Sequence, residues 1–326
     1  MIVVTGGAGF IGSVLAAELN LHGHKDLLIV DSLDHDEKEH NAAGLQYEEL
    51  ISGEEFRRKL QAGDFDSAEI EAIFHLGAIT STTEQDWKLF EDVNIAFSQE
   101  VIRWCTDKDV RCVYISSAAT YGLGEKGYSD DHELFEQLEP LNLYGKSKLM
   151  VDIWARDGGY LDKVVGLRYF NVFGPNEYHK EEMRSVVAKK YDQLREKGYI
   201  ELFKSNNPRF KDGEQQRDFI YVTDAVAATL HFLENREAAG VFNIGTGKAR
   251  NWNSMARAMF AAEGKRLDIK YIDMPANLAK QYQDFTQADI SKLRAAGFGA
   301  DMLSLEDAVE DYIVNYLREH QHYTGR

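Results

Sequence analysis

Short apolar runs alternate with segments of helical period along the first half of the chain. Ile2, Val3 and Val4 form the first run, and Ile11, Val14, Leu15 and Leu19 follow at helical spacing. A second run, Leu27 to Asp31, is apolar up to its closing acid. Residues 34 to 66 are acidic and weakly patterned, and predict a short strand near Leu45 and a helix around Glu54 to Leu60. The spacing then predicts a strand at Ala72 to Leu76, a long helix from Trp87 to Lys108, a β-branched and aromatic strand starting at Val110, and a helix from Tyr144 to Trp154. Further on, helices are expected at Asp224 to Asn235, Asn251 to Ala262, around Ala288 to Ala296 and Leu305 to Leu317, with strands at Val241 to Ile244 and Ile269 to Ile272. Apolar strands alternating with helices predict an α/β fold built on a doubly wound parallel sheet.

Three glycines, Gly6, Gly9 and Gly12, lie between the first strand and the first helix. Glycine permits positive φ and leaves no Cβ in the way, so a pyrophosphate can rest on the N–H groups of a helix N-terminus. The spacing GxxGxxG therefore reads as a dinucleotide cradle. Asp31, about 20 residues beyond the glycines, can accept from a ribose hydroxyl, whereas Lys38 in the next loop could pair with a 2′-phosphate. Gly77-Ala78 makes a small-residue turn at the end of a strand, where open parallel sheets bind ligands. Ser116 and Ser117 close the strand from Val110, and a loop from Gly122 to Pro140 is expected to pack over the rim.

Tyr144 and Lys148 are i and i+4 on one helix, so phenol and ammonium can converge on one point. A nearby cation favours phenolate, which makes tyrosine a usable general base near neutral pH.

The 326 residues suffice for a large core and two lobes, and 44% hydrophobic with 28% charged residues is ordinary for a globular protein. No apolar run approaches a membrane span and no basic leader precedes the first strand, so a cytoplasmic location is expected. The net charge of -17 argues against nucleic-acid or anionic-membrane binding. That charge is uneven: Asp31 to Glu71 holds 13 acids and 4 bases, Lys180 to Arg217 10 bases and 7 acids. The second stretch is a candidate anion site. Cys105 and Cys112 read as small core residues. His22 and His24 flank a turn, and His320 and His322 lie near the C-terminus, so surface roles and no metal site are expected.

Beyond these signals the chain resembles the extended short-chain dehydrogenase/reductase family. The resemblance rests on Thr5 to Gly12, Ser117 to Gly122, Tyr144 to Lys148, Arg168 to Pro175, Arg217 to Val222 and Phe242 to Gly245. Asn176 to Met183, with its His179-Lys180 pair, and Tyr282 to Asp289 are similar to the ADP-L-glycero-D-manno-heptose 6-epimerase branch of that family. The resemblance implies inversion of C6 of an ADP-heptose through a 6-keto intermediate, in lipopolysaccharide core synthesis, with NADP as cofactor and NAD as the alternative. It implies a Rossmann domain over 1–174, completed by about 217–247 and 284–296, and a smaller α/β substrate-binding lobe from 175–216, 248–283 and 297–326. A homo-oligomer, in the family's manner a pentamer, is also expected.

Carried over residue by residue, the resemblance makes Tyr144 and Lys180 the two acid/bases. Ser117 bonds the reacting oxygen, and Lys148 tunes Tyr144 and holds the nicotinamide ribose. Cofactor contacts are implied at Gly6, Gly9, Phe10, Ile11, Gly12, Asp31, Ser32, Lys38, His75, Leu76, Gly77, Ala78, Asn94, Tyr144, Lys148, Val172 and Lys180. Substrate contacts are implied at Ser117, Asn171, Glu182, Lys189, Phe203, Lys204, Ser205, Asn206, Arg217 and Tyr282, with Arg217 as the phosphate clamp. The chain departs from the family pattern in having Gly53 where some members carry a lysine for the NADP phosphate, and Glu182 where a serine is common. Its loop between Asn206 and Arg217 is also longer than the shortest family versions. The alternatives are a UDP-hexose 4-epimerase, which would not need Lys180, and a non-catalytic dinucleotide-binding regulator, which would not need Ser117, Tyr144 and Lys148. A dehydratase would carry an Asp-Glu pair where this chain has Ala118 and Ala119.

Overall fold

The computed structural model describes residues 1–275, 279 and 282–325. Seven parallel strands form the central sheet in the order β10-β6-β5-β4-β1-β2-β3. They are β1 (Ile2–Thr5), β2 (Leu27–Val30), β3 (Glu49–Ile51), β4 (Ala72–His75), β5 (Arg111–Ser117), β6 (Val165–Tyr169) and β10 (Gly240–Ile244). The chain order reverses between β1 and β4, which opens a crevice beyond their C-terminal ends. Five of these strands, β1, β2, β4, β6 and β10, are buried at every position, as expected of a parallel sheet covered on both faces.

Helices cover both faces. On one, α1 (Phe10–Leu21) and α8 (Val222–Glu234) pack on Val4, Phe74, Leu167 and Ile244. On the other lie α3 (Gly53–Ala62), α5 (Phe97–Lys108) and α6 (Leu143–Asp157), over Val3, Ile73 and Cys112. Between α1 and α3 comes α2 (Asp36–Ala43), and α4 (Trp87–Leu89) runs through a π turn (Phe90–Ala96) into α5. Cys105 and Cys112 are both free and buried, as expected of small core residues.

A separate apolar cluster joins α7 (Val186–Lys197), α9 (Trp252–Ala262), α11 (Leu305–Asp311) and the π turn Tyr312–Leu317 with strands β8 (Ile200–Phe203) and β9 (Gln216–Tyr221). Around it, β12 (Ile269–Ile272) pairs with β8, while β7 (Asn171–Phe173) and β11 (Ala249–Asn251) flank β9. The short α10 (Ser291–Ala295) returns to the main sheet, where Leu293 joins its core. Among the described residues no helix is long and apolar enough to cross a membrane.

Several expected elements differ. The strand near Leu45 lies four residues later, at Glu49–Ile51, because Leu45 is a buried residue of the turn after α2. Helix α2 was hidden because only Asn41 and Ala42 along it are buried, leaving no apolar period to read. The long helix from Trp87 and the last helix both change to π winding partway, the first around buried Asn94 and the second around Ile313. Of the histidines expected at the surface, His320 is exposed but His322 is mostly buried: the C-terminal tail folds back on α2, stacking His320 on Tyr178 at 4.1 Å between centroids.

Beneath the strand ends, Arg168 and Asp152 form an ion pair at 2.8 Å with both side chains at zero exposure. Asp152 also accepts from Tyr114 Oη and Ser116 Oγ. Substituting Asp152→Ala strands a buried guanidinium, and urea unfolding should show a loss of about 3–5 kcal/mol. A loss under about 1 kcal/mol would mean that the aromatic rings around Arg168 suffice to hold it.

Candidate active site

The turn after β1 is built for close approach. Gly6 sits at φ +69, and a Cβ there would stand 2.8 Å from the backbone N of Gly77 in the turn after β4. A Cβ on Gly12 would stand 2.0 Å from Gly6 O. Alanine is excluded at both positions. Gly9 opens α1 with no side-chain cap and no acid in the first turn, so the positive end of the helix and its free N–H groups at Phe10, Ile11 and Gly12 are available to an anion. The residues present therefore fit a dinucleotide.

Asp31 closes β2 beside this turn. Its carboxylate accepts from Ala8 N at 3.0 Å, Ser32 N at 2.8 Å and Lys38 Nζ at 3.1 Å. Lys38 also meets Asp34 at 3.0 Å; burial works against its charge, but the two acids hold its pKa above the ordinary lysine value. His75 takes no direct part through its ring. Both ring nitrogens are engaged, with Thr5 Oγ1 at 2.9 Å and Ser98 Oγ at 3.0 Å, and burial together with the Lys148 charge drives its pKa down to about 3. Thr5 Oγ1 in turn receives Gly77 N at 2.9 Å, so His75 positions the two turns. Asn94 is likewise a clamp: it bonds Ile79 N and O at 2.8 and 3.0 Å and Ser147 Oγ at 3.0 Å, tying the Leu76-Gly77-Ala78 turn to α6.

Across the crevice, β5 delivers Ser117 and α6 delivers Tyr144 and Lys148. Asn142 caps α6 through Gly145 N at 2.8 Å, which fixes the first turn on which Tyr144 sits. Gly145 is required there, since a Cβ would lie 2.6 Å from Ala119 O. Burial pushes the Tyr144 phenol above its ordinary pKa, and a hydrogen bond with Ser117 pulls it back. The expectation that Lys148 would lower this pKa is not met in this structure. Lys148 is itself only 3% exposed, and burial brings its pKa down to about 8, against the pull of Asp152 one turn on. Burial of the phenol therefore outweighs the charge effect expected from the Tyr144-Lys148 spacing.

Lys180 enters from the third direction. It lies on a 3-10 segment (Tyr178–Met183), with Nζ 5.8 Å from the centroid of Phe10 at the mouth of the glycine turn. Burial lowers its pKa, and Glu177 opposes that. The next residue, Glu181, adopts φ 46 and ψ -116, a conformation that favours glycine. The strain is held by Glu177, which accepts from Ser185 Oγ at 2.7 Å and Tyr312 Oη at 3.0 Å and also receives Ser185 N. Asn176, at φ 74, is pinned by Ser13 Oγ and the tail backbone at Tyr323. Neither anchor was singled out as a site residue, since a single Glu or Asn carries no motif.

Arg217, on β9, is 7% exposed, and no carboxylate of the described residues lies within salt-bridge distance of it. It stands 5.5 Å over Trp252 and 5.1 Å over Tyr282, and burial lowers its pKa. Trp252 Nε1 donates to Tyr282 Oη at 2.8 Å, and Phe203 meets Tyr282 edge-on at 6.3 Å. A buried arginine walled by aromatics and without a carboxylate partner has the chemistry to receive an anion against a stacking surface. Trp252 and neighbouring Tyr128 were not anticipated, because no motif covers them.

Other anticipated residues sit at the edge. Asn171 Oδ1 accepts from Thr286 at 3.3 Å and Val172 is half-buried beside it. Lys189 Nζ bonds the backbone O of Glu182 at 2.9 Å, leaving the Glu182 carboxylate in solvent. Exposed Lys204 pairs with Asp273 at 3.0 Å; Ser205 Oγ donates to Asn207 O, and Asn206 Nδ2 to Ala279 O at 3.3 Å. Arg209 and Lys211 are exposed. A cavity of about 960 Å³ lined by Tyr128, Phe219, Lys248, Arg294 and Met302 among others includes none of the anticipated site residues.

Residues 2–245 match the model of the NAD dependent epimerase/dehydratase family. The chain is 44% identical, over 97% of its length and 98% of the relative's, to an ADP-L-glycero-D-manno-heptose-6-epimerase of Nitratidesulfovibrio vulgaris (strain DP4). Its fold is similar to the crystal structure of the Helicobacter pylori ADP-L-glycero-D-manno-heptose-6-epimerase, with TM-score 0.80 and 26% identity over 96% of this chain and 95% of that one. A UDP-glucuronic acid 4-epimerase from Bacillus cereus shares the fold at TM-score 0.77 and 24% identity, over 98% of this chain and 99% of that one.

The Lys148 environment has a pH signature. Between about 8 and the ordinary lysine value the unfolded chain holds one proton more than the folded one at this residue, so unfolding free energy rises with pH in that window. Between pH 7.5 and 9.5 the rise from this group should be roughly 1–2 kcal/mol. The difference between wild type and Lys148→Met in urea unfolding isolates it, and parallel pH profiles for the two proteins would refute it.

Proposed function

The chain belongs to the NAD dependent epimerase/dehydratase family, and we propose that it inverts C6 of ADP-glycero-manno-heptose, converting the D-glycero to the L-glycero epimer. The observation that carries this reading is that half-buried Lys180 lies beside Phe10 at the cradle, where it would serve as a second proton-handling group besides Tyr144. A UDP-hexose 4-epimerase has no need of it. The near full-length identity to a heptose epimerase supports the same substrate.

A nicotinamide dinucleotide bound on the glycine turn would accept a hydride from C6 and return it to the other face of the ketone. The protein's part is the proton and the geometry. Losing hydride from an alcohol carbon requires its O–H proton to leave with it, and reducing the ketone requires a proton to come back. After the ketone end has turned over, its oxygen points in another direction. Tyr144, with Ser117 as hydrogen-bond partner, takes or gives the proton in one pose, and Lys180 does so in the other. Lys148 holds the ribose hydroxyls and the Tyr144 side of the site. Arg217 receives the diphosphate, with Phe203, Trp252 and Tyr282 flanking it. Burial lowers the Lys180 pKa toward the range where an amine can exchange protons with an alcohol.

For the cofactor the reading is NADP, with NAD the alternative. Asp31 suits a ribose 2′-hydroxyl, and Lys38, held between Asp31 and Asp34, can transfer to a 2′-phosphate. The substrate-binding lobe is the part centred on α7, α9 and α11, and the enzyme is read as a cytoplasmic homo-oligomer.

Incubating the purified protein with ADP-D-glycero-D-manno-heptose and resolving the C6 epimers should show interconversion; turnover of UDP-galactose in its place would sink the assignment. Lys180→Ala should lose about 100-fold or more in kcat while keeping its cofactor, and full activity would refute the two-base mechanism. Lys38→Ala should weaken NADP binding about 10-fold or more and leave NAD binding near wild type, as measured by fluorescence titration; equal losses for both would assign Lys38 to structure alone.

A further inference from the structure

Glu37 and His40 lie one turn apart on α2, and the C-terminal tail brings His320 and His322 against them. Glu37 Oε2 is 3.2 Å from His322 Nε2 and 3.9 Å from His40 Nδ1, and Glu37 Oε1 is 2.9 Å from His320 Nε2. One donor atom from each of Glu37, His40 and His322 fits within 4.8 Å of the others.

The orientation of His322 is set from behind. Asn41 donates through Nδ2 to Ala8 O at 3.0 Å and to Asn176 O at 3.1 Å, so its Oδ1 is the acceptor facing His322 Nδ1 at 2.8 Å. His322 Nδ1 must therefore carry the hydrogen, which leaves the lone pair of a neutral ring on Nε2. That lone pair faces the Glu37 Oε2 lone pairs, and both atoms are buried with no hydrogen-bond partner among the described residues. Two acceptors at this distance repel unless a cation or a proton lies between them. A histidine that donates one ring N–H to a side-chain carbonyl while aiming the other nitrogen at a carboxylate is arranged as a ligated histidine is.

We propose that Glu37, His40 and His322 form a binding site for a zinc-class divalent transition metal that clasps the C-terminal tail to α2, with His320 bonding the outer oxygen of Glu37. Imidazole nitrogens with one carboxylate oxygen suit zinc, and tetrahedral ligands at about 2.0–2.1 Å from it stand roughly 3.3 Å apart, close to the spacing of the His322 and Glu37 donors. The site has structural consequences. His320 stacks on Tyr178, which opens the segment bearing Lys180, and Lys38 follows Glu37 in the chain. A metal here would tie the tail, the cradle acid's neighbour and the Lys180 segment together.

The test uses full-length protein stripped with EDTA, titrated with Zn2+ in competition with a chromophoric chelator and separately with Co2+. One Zn2+ per chain is expected, with the visible bands of tetrahedral Co2+ and a thermal midpoint raised by Zn2+. His40→Ala and His322→Ala should each weaken binding about 10-fold or more, whereas a His22→Ala/His24→Ala double variant, altering histidines of another turn, should bind as wild type. His40 is exposed enough for its variant to fold, which circular dichroism checks. The proposal is overturned by lack of binding, which would leave a proton between His322 and Glu37, or by binding that His40→Ala and His322→Ala leave unchanged.

Discussion

Arg168 and Asp152 meet beneath the C-terminal ends of β5 and β6 with no solvent on either side. An isolated charge at that depth would cost several kcal/mol, so the pair persists only because its surroundings complete it. Asp152 accepts the guanidinium twice and also the hydroxyls of Tyr114 and Ser116, while the Arg168 plane lies 4.3 Å from the Phe135 centroid and 4.9 Å from that of Tyr121. Strand β5, strand β6, helix α6 and the rim loop are thereby fixed to one another through a single carboxylate.

The position of that carboxylate on α6 matters. Asp152 is one turn beyond Lys148 and two beyond Tyr144, so anchoring it sets the rotation of the helix and aims the other two side chains into the crevice. It also supplies the negative charge that partly offsets the burial of Lys148. Burial and charge are thus balanced along one helical face: a fully paired acid at the bottom, an ammonium near its neutral form in the middle, and a phenol at the opening. A helix held only by apolar contacts could rotate by some degrees at little cost; one held by a buried ion pair has a single rotation that leaves no charge stranded.

What was legible in the sequence follows from whether a residue's role is local. The glycine turn could be read because strand, glycines and helix are contiguous and the constraint on Gly12 comes from Gly6, six residues away. Tyr144 and Lys148 were legible for the same reason, sharing one helix. Helix α2 was not, since what holds it is Asn41 reaching Ala8 and Asn176, and the tail reaching Glu37. Trp252 escaped notice because its function is to brace Tyr282, 30 residues on. The rise in the Tyr144 pKa could not be seen either, because desolvation is a property of the packed site and opposes the charge effect inferred from the Tyr-Lys spacing.

The same balance bears on how one fold can serve epimerisations at different carbons. The cradle and the Tyr144 helix are built from the sheet and its flanking helices, and they set where a hydride acceptor and one proton-handling group would meet. Lys180 comes from outside that frame, on a strained segment whose conformation depends on buried Glu177 and, through it, on Ser185 and Tyr312. On the proposed chemistry, a second proton-handling group is placed with no change in the sheet, only a backbone excursion at Glu181 stabilised by Ser185, which caps α7, and by Tyr312 of the final π turn. The segment is tied to the sheet side as well, since Asn176 bonds Ser13 Oγ of α1 and its carbonyl receives Asn41 of α2, so Lys180 is held against the cradle from both sides. On the proposed chemistry, one base on each side of the crevice lets the substrate's keto end turn between them without either base having to move across the site.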